Sequence, residues 1–346
     1  MKGKMKAYVF EEKDKAVFKE IDIPAISDQE ILVKVKANGI CHSDYELLEG
    51  RYIIPFSYPI IPGHEWSGEI VETGKDVSTF KKGDRVVGEC VIGCGVCKVC
   101  QEGNFTYCPT SDHFGFTIDG AVAEYLVAKP EWLHKFPDNV DWKTASMIEP
   151  FSVAYNGING IGGCDASETV VVIGGGTIGL CAAACAKAMG ARVITIEPHA
   201  YRRDIAKKLN VDYVIDPMKE DAEAVIKKLT GGFGADLVVE ASGSSPGLKS
   251  SLDLVKNGGR VSYIGINIGN EIPVELGKIQ IRGITAKGFI GSPYVWDKVV
   301  AFLSQSQLDL SPISTHQFPL MEAEKAYNFA RDIITNELVK VTLMNE

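Results

Sequence analysis

From Ile31 to Ala37 the chain reads Ile-Leu-Val-Lys-Val-Lys-Ala, and apolar and polar positions alternate. That two-residue period predicts strands with one solvated face; it marks residues 7–37 and returns in Glu69-Ile-Val-Glu72 and at residues 122–128. Helical turns are expected at residues 45–49, capped by Ser43 or Asp44, after Pro137-Asp-Asn-Val140, and from Met147 towards Asn159, where Pro150 suits a first turn. Beyond Val170 the rhythm changes. The β-branched run Val170-Val-Val-Ile173, the apolar stretch Leu180 to Met189 and Arg192-Val-Ile-Thr-Ile196 read as strand, helix, strand. The alternation continues through residues 201–209, 221–230, 235–240, 246–254, 259–264 and 281–287, the pattern of an α/β fold with a doubly wound parallel sheet. Helices at 295–305 and 321–333 and a strand at 338–343 complete the prediction.

The turn at the head of this second region is Gly174-Gly-Gly-Thr-Ile-Gly179. Gly174, Gly176 and Gly179 fit the G-x-G-x-x-G spacing, in which the first glycine makes the turn, the second admits a pyrophosphate, and the third packs helix on strand. Thr177 and Ile178 open the helix whose N-terminus faces the phosphates. Glu197 closes the next strand about twenty residues on, where an acid accepts hydrogen bonds from the adenosine ribose and repels a 2′-phosphate. The expected cofactor is NAD; Arg202 and Arg203 follow closely enough to turn towards a phosphate, so NADP stays open. No charge falls between Thr169 and Ala186, but three consecutive glycines after a β-branched run exclude a membrane-spanning helix.

At 346 residues the chain is long enough for two domains. A net charge of −9 argues against nucleic acid or an anionic membrane as main partner. The N-terminal residues carry no apolar signal core, and a cytoplasmic protein is expected. Nine cysteines, an odd number, suit metal ligation better than disulfides. Cys90, Cys164, Cys181 and Cys185 read as small buried residues.

The remaining five carry candidate chemistry. Cys94, Cys97, Cys100 and Cys108 have the spacing C-x2-C-x2-C-x7-C in a glycine-punctuated lobe, and four thiolates there can close a tetrahedron around a structural zinc. An iron–sulfur cluster uses similar ligands, but nothing nearby suggests electron transfer; a zinc finger would need a basic helix. Cys41 in Cys41-His-Ser-Asp44, with His64 and Glu65 in Pro62-Gly-His-Glu65, offers a sulfur, a nitrogen and an oxygen, which suits a zinc with one position left open. Glu149 stands at a helix entry, as a capping acid or aimed into a cleft between domains.

These motifs, with Asp119-Gly-Ala-Val-Ala-Glu-Tyr125 and Ile148-Glu-Pro150, resemble the zinc-containing medium-chain alcohol and polyol dehydrogenases over nearly the whole chain. The resemblance implies a mainly β, GroES-like catalytic domain at residues 1–151 and 293–346, with a structural zinc lobe at about 90–110 and a Rossmann dinucleotide-binding domain inserted at 152–292. It places Cys41 and His64 on the catalytic zinc, with Glu65 and Glu149 matching two acidic positions of the sorbitol and threonine dehydrogenase branch; which of them, or water, is the fourth ligand stays open. Alcohol dehydrogenases proper have cysteine where Glu149 stands. The phrases Tyr58-Pro-Ile-Ile-Pro-Gly-His-Glu-Trp-Ser-Gly68, Phe114-Gly-Phe-Thr-Ile-Asp-Gly120 and Glu149-Pro-Phe-Ser-Val-Ala-Tyr-Asn156 are similar to aminocyclitol dehydrogenases such as 2-deoxy-scyllo-inosamine dehydrogenase. Two departures stand out: Tyr45 and Glu46 occupy the places where many relatives have a proton-relaying histidine, and Ile290 aligns with an arginine of sorbitol dehydrogenases.

The implied chemistry is zinc-dependent oxidation of a secondary alcohol to a ketone. Zinc would lower the pKa of the hydroxyl, Ser43 would take and pass on the proton, with Glu46 a candidate replacement for the histidine, and hydride would go to the nicotinamide. The expected substrate is a polyol, cyclitol or amino sugar, unphosphorylated and preferably amine-bearing, with L-threonine or sorbitol as alternatives; a homo-oligomer is expected. The rival classes are a zinc-free quinone-reductase-like protein, a non-catalytic nucleotide-binding protein and a metal-binding interaction module.

Overall fold

The computed structural model describes residues 2–345 and divides into two compact units. One comprises the chain up to Glu149, Trp296–Gln307 and the residues from Ser314 onward; the other comprises Pro150–Val295 and Leu308–Ile313.

The first unit is built on a seven-stranded sheet. Its connected path runs Ser314–Pro319, Lys340–Met344, Ile31–Ile40, Glu65–Thr73, Arg85–Gly88, Leu133–Lys135, and Tyr125–Ala128 also pairs with Ile31–Ile40. The alternation in Ile31–Ile40 holds only in its middle: Ile31, Val33 and Val35 are buried in one core cluster with Trp66, Ile70, Val86, Phe114 and Leu126 and Lys34 and Lys36 are half-exposed, but Leu32 and residues 37–40 are buried on both faces. A second core gathers Tyr8, Phe10, Ile60, Phe116, Tyr327 and Leu343 beneath the hairpin of Lys4–Glu12 and Lys15–Asp22.

The second unit carries a six-stranded sheet in which every pairing is parallel. Its order is Tyr213–Ile215, Arg192–Ile196, Thr169–Ile173, Ala235–Glu240, Val255–Tyr263, Thr285–Gly288. Numbered along the chain that is 3-2-1-4-5-6, the doubly wound order whose switch point lies between the first and fourth strands. Val170, Val171 and Val172 have no exposed surface, so the β-branched run is a strand covered on both faces.

Several local expectations shift. The helix predicted at 45–49 spans His42–Leu48, and its N-cap is Cys41: the Asp44 carboxylate at the third helical position accepts from Cys41 N at 3.1 Å, so Asp44 satisfies the cap from inside the helix and Ser43 is not the cap. After Pro137 the helix waits until Trp142–Ser146, where Asp141 accepts from Thr144 N. The stretch 281–287 is not one strand: Gly277–Arg282 is helical, stopped by Gly283 in the left-handed conformation, and the strand is Thr285–Gly288. Cys181 and Cys185 are fully buried as expected, but Cys90 and Cys164 are only half-buried.

Candidate active site and metal centres

In the cysteine lobe, the short strands Val91–Ile92 and Asp112–His113 pair and close a loop that folds back through the helical turn Lys98–Gln101. The sulfurs of Cys94, Cys97, Cys100 and Cys108 all lie within 4.8 Å of one another, and Cys97 Sγ is 3.8 Å from Cys108 Sγ. A zinc held at about 2.3 Å from four sulfurs requires tetrahedral edges of about 3.8 Å, so the lobe fits that ion. Backbone N–H groups of Val96 and Cys97 pull the Cys94 thiol down to about 6, towards the thiolate a metal needs.

The second donor set follows from strand register. In the antiparallel pair Ile31–Ile40 with Glu65–Thr73, Gly39 faces Glu65. The end of one strand and the start of its neighbour therefore bring Cys41, His64 and Glu65 together, and their donor atoms lie within 4.8 Å of one another. Gly39 makes room: a Cβ there would collide with the Glu65 carboxylate. On the other side of Ile31–Ile40 the strand Lys340–Met344 begins, and buried Lys340 donates to both Glu65 oxygens, at 2.7 and 2.6 Å, and to Ile40 O at 3.0 Å. Burial works against the charge on Lys340, but Glu65 and then Cys41 outweigh it and hold the ammonium.

His64 Nδ1 lies 3.4 Å from Asp44 Oδ1, and neither atom has a hydrogen-bond partner among the described residues. Asp44 is fully buried; its other oxygen accepts from Cys41 N at 3.1 Å and from Tyr327 Oη at 3.1 Å, so it ties the Cys41 backbone to the helix Ala323–Ala330. Burial opposes a charge on His64, yet Cys90, Asp44 and Cys41 raise it well above the usual histidine range. Surroundings that draw the imidazole towards its cationic form are ones a divalent cation satisfies, and the donor set fits zinc. Burial also pushes the Glu149 carboxyl up to about 7, with His64 drawing it down and Glu65 pushing it further up. Glu149 thus belongs to this neighbourhood, although it is outside the trio of mutually close donors.

The other residues singled out in the sequence are placed as follows. Ser43 is half-buried in the first turn of its helix, and its hydroxyl has no hydrogen-bond partner among the described residues. Glu46 lies on the same helix but turns to Arg51, 3.4 Å away, which offsets its charge. In the second unit Gly174 has φ +102°, space is open where a Gly176 side chain would point, and Gly179 rests on the carbonyl of Gly174. Helix Thr177–Ala188 starts there with Gly176 as N-cap. Glu197 is buried and accepts from Gly175 N at 2.6 Å and His199 N at 2.8 Å. Arg202 is 3.9 Å from Glu197, whereas Arg203 is committed to Asp216 at 2.9 Å and to Glu197 O at 2.9 Å. Lys340 and Tyr327 carried no sequence signal; Asp44 did, through its position three residues after Cys41.

Family models described as alcohol dehydrogenase GroES-like domain and zinc-binding dehydrogenase match residues 27–138 and 177–305. D-arabitol-phosphate dehydrogenase of Enterococcus avium is 33% identical over 322 residues, covering 91% of this chain and 90% of that one. Sorbitol dehydrogenase of Halalkalibacterium halodurans is 34% identical, covering 92% and 93%, and L-threonine 3-dehydrogenase of Proteus mirabilis 34%, covering 90% and 92%. The chain belongs to the zinc-dependent medium-chain dehydrogenases. It is an oxidoreductase acting on CH–OH groups of small hydroxylated molecules, with zinc and NAD(P) as cofactors. Solved medium-chain dehydrogenase structures share the fold. A zinc-binding dehydrogenase of Sinorhizobium meliloti bound to NADP gives a TM-score of 0.90 at 29% identity, and an Escherichia coli alcohol dehydrogenase complexed with NADH gives 0.89 at 27%; each covers 99% of both chains. Among the described residues no helix is long and apolar enough to cross a membrane.

Two outcomes follow from these geometries. Cys97→Ser leaves the four-sulfur set incomplete, so zinc content measured by mass spectrometry should halve and the thermal midpoint fall; Cys41→Ser should also halve the zinc but leave a folded protein without turnover. Full zinc content in either variant contradicts the assignment. Lys340→Met strands the buried Glu65 carboxylate and should cost about 3–5 kcal/mol in denaturant unfolding, with much of it recovered in the double variant Lys340→Met, Glu65→Gln; a single variant as stable as the parent would show that the pair is solvated.

Proposed function

We propose that the protein oxidises a secondary alcohol of an unphosphorylated polyol, cyclitol or amino sugar to the ketone with NAD, and prefers an amine-bearing substrate to sorbitol. The observation that carries this reading is the charge around the three-donor set. Counted ionised, Cys41, Asp44, Glu65 and Glu149 outnumber the positive charges of a zinc ion and Lys340 by one, a surplus that Glu149, pushed up to about 7 by burial, supplies only above that pH. A partly desolvated site with that surplus favours an ammonium group and disfavours a phosphate. Glu46 adds nothing to it, since Arg51 balances that carboxylate. Ile290, where sorbitol dehydrogenases carry an arginine, supports the same preference. The E. avium relative is named for a phosphorylated alditol, which makes the phosphate arm of the test decisive.

Cys41 and His64 would hold the catalytic zinc, Cys94, Cys97, Cys100 and Cys108 the structural one, and the fingerprint from Gly174 to Gly179 with Glu197 the dinucleotide. When bound, zinc supplies a Lewis acid that lowers the pKa of the substrate hydroxyl, and NAD supplies the hydride acceptor. Ser43 Oγ would take the hydroxyl proton while passing its own on to water, its hydroxyl having no partner among the described residues. Asp44 Oδ1 faces the His64 ring at 3.4 Å, and Lys340 bonds both oxygens of Glu65. Glu197 accepts from the ribose hydroxyls, and its charge disfavours NADP despite Arg202 close by.

The test compares kcat/KM with NAD and NADP on an aminocyclitol, its deaminated analogue, sorbitol, L-threonine and D-arabitol phosphate. The aminocyclitol with NAD should be best. Equal rates with and without the amine reduce the reading to general polyol oxidation; a best rate on the phosphate, or with NADP, overturns it.

The expected homo-oligomer also has a candidate surface. Thr285–Gly288 is an edge strand of the parallel sheet, exposed at every residue, and Leu276 and Ile281 nearby are 68% and 89% exposed. An open strand edge flanked by apolar side chains invites the same edge of a second copy. Light scattering should show a dimer or larger species that Ile281→Glu dissociates, and a monomeric parent protein would refute this.

A further inference from the structure

Tyr52 lies between helix His42–Leu48 and the turn that delivers His64, and no motif draws attention to it. Its ring stacks on Phe116, with centroids 4.4 Å apart and planes 17° from parallel. Phe116 is 1% exposed and also meets the ring of His64 at 5.2 Å and that of His113 at 6.4 Å. A fully buried phenyl ring in contact with a candidate metal ligand thus fixes the plane of the half-buried Tyr52 ring. The Tyr52 hydroxyl has no hydrogen-bond partner among the described residues. Burial raises its pKa, and the charges of Cys90, His64, Cys41 and Asp44 all bear on it, so it stays a protonated donor close to the three-donor set.

A rigidly held, partly dehydrated phenol, one ring removed from His64, wants an oxygen to bond. The polyol reading above supplies one, and the following inference rests on that reading. We propose that Tyr52 is a specificity-determining residue whose hydroxyl bonds a second hydroxyl of the substrate, next to the one being oxidised, so that diols and polyols are selected over simple secondary alcohols. A substrate with a single hydroxyl leaves the phenol without a partner after desolvation, and sites built to bond a substrate hydroxyl discriminate strongly against analogues lacking it. The ring stack does not depend on the hydroxyl, so removing that one atom separates recognition from packing.

The test is Tyr52→Phe in the zinc-loaded enzyme. Three quantities are measured: kcat/KM on D-sorbitol, D-arabitol, 2,3-butanediol and 2-butanol; dissociation constants of the same four alcohols by calorimetry without turnover; and zinc content. The selectivity of kcat/KM for the best of the three polyhydroxylated compounds over 2-butanol should fall about tenfold, mainly through KM, with a matching loss in the calorimetric constant and unchanged zinc. An unchanged selectivity ratio, or equal losses on all four alcohols, overturns the role of Tyr52 while leaving the polyol reading standing. A parent enzyme that already handles 2-butanol as well as every polyhydroxylated compound overturns the polyol reading itself, and the inference with it.

Discussion

The site depends on one buried ion pair formed in a gap that a glycine leaves open. Glu65 is opposite Gly39 across an antiparallel pair, and its carboxylate occupies the volume a side chain at Gly39 would fill. Lys340 arrives from the strand on the other side and bonds both oxygens. Two charges out of water cost several kcal/mol each and are tolerated only when their partners are exact in number and placement. Here the second acceptor for Lys340, Ile40 O, is the residue before Cys41. The pair therefore fixes three strands at the point where the donor set assembles, and Asp44 repeats the device on the helix side by accepting from Cys41 N and Tyr327 Oη beside His64.

The two candidate zinc centres differ for physical reasons that the chain makes plain. The four-sulfur lobe takes every ligand from fifteen consecutive residues, Cys94 to Cys108, and offers only thiolates, so the ion it suits is enclosed and serves to hold the lobe. The Cys41, His64 and Glu65 set draws on two strand ends, and its oxygen donor is engaged by a lysine. Both Glu65 oxygens are thereby engaged by a cation, whereas the sulfurs of the lobe face only one another. The same lysine reduces the local negative charge that Glu149 and Asp44 contribute.

Motifs local in sequence were legible. The cysteine spacing, the glycine fingerprint and the βα alternation each sit within a short window, and the parallel sheet order follows the alternation they predict. What was not legible depends on separation or on unusual local chemistry. Lys340 is 275 residues from Glu65 and Tyr327 is 283 from Asp44, so neither partner could be read without the strand order. The helix at His42 begins a turn earlier than its apolar pattern suggests because a cysteine serves as N-cap, a place usually held by Ser, Thr, Asp or Asn. Residues 281–287 read as one strand because Ile281 and Ile284 look β-forming, but Gly283 ends a short helix between them. Arg51 stands five residues after Glu46, and that pairing was within reach of the sequence.

The most direct measurement is zinc stoichiometry and unfolding free energy of Gly39→Ala. If the gap and register assemble the donor set, the added methyl displaces Glu65 and separates it from Lys340. The account predicts loss of zinc from the Cys41 and His64 set, retention at the four-sulfur lobe, and destabilisation of about 3 kcal/mol or more from the broken buried pair. Full zinc content with unchanged stability would contradict it.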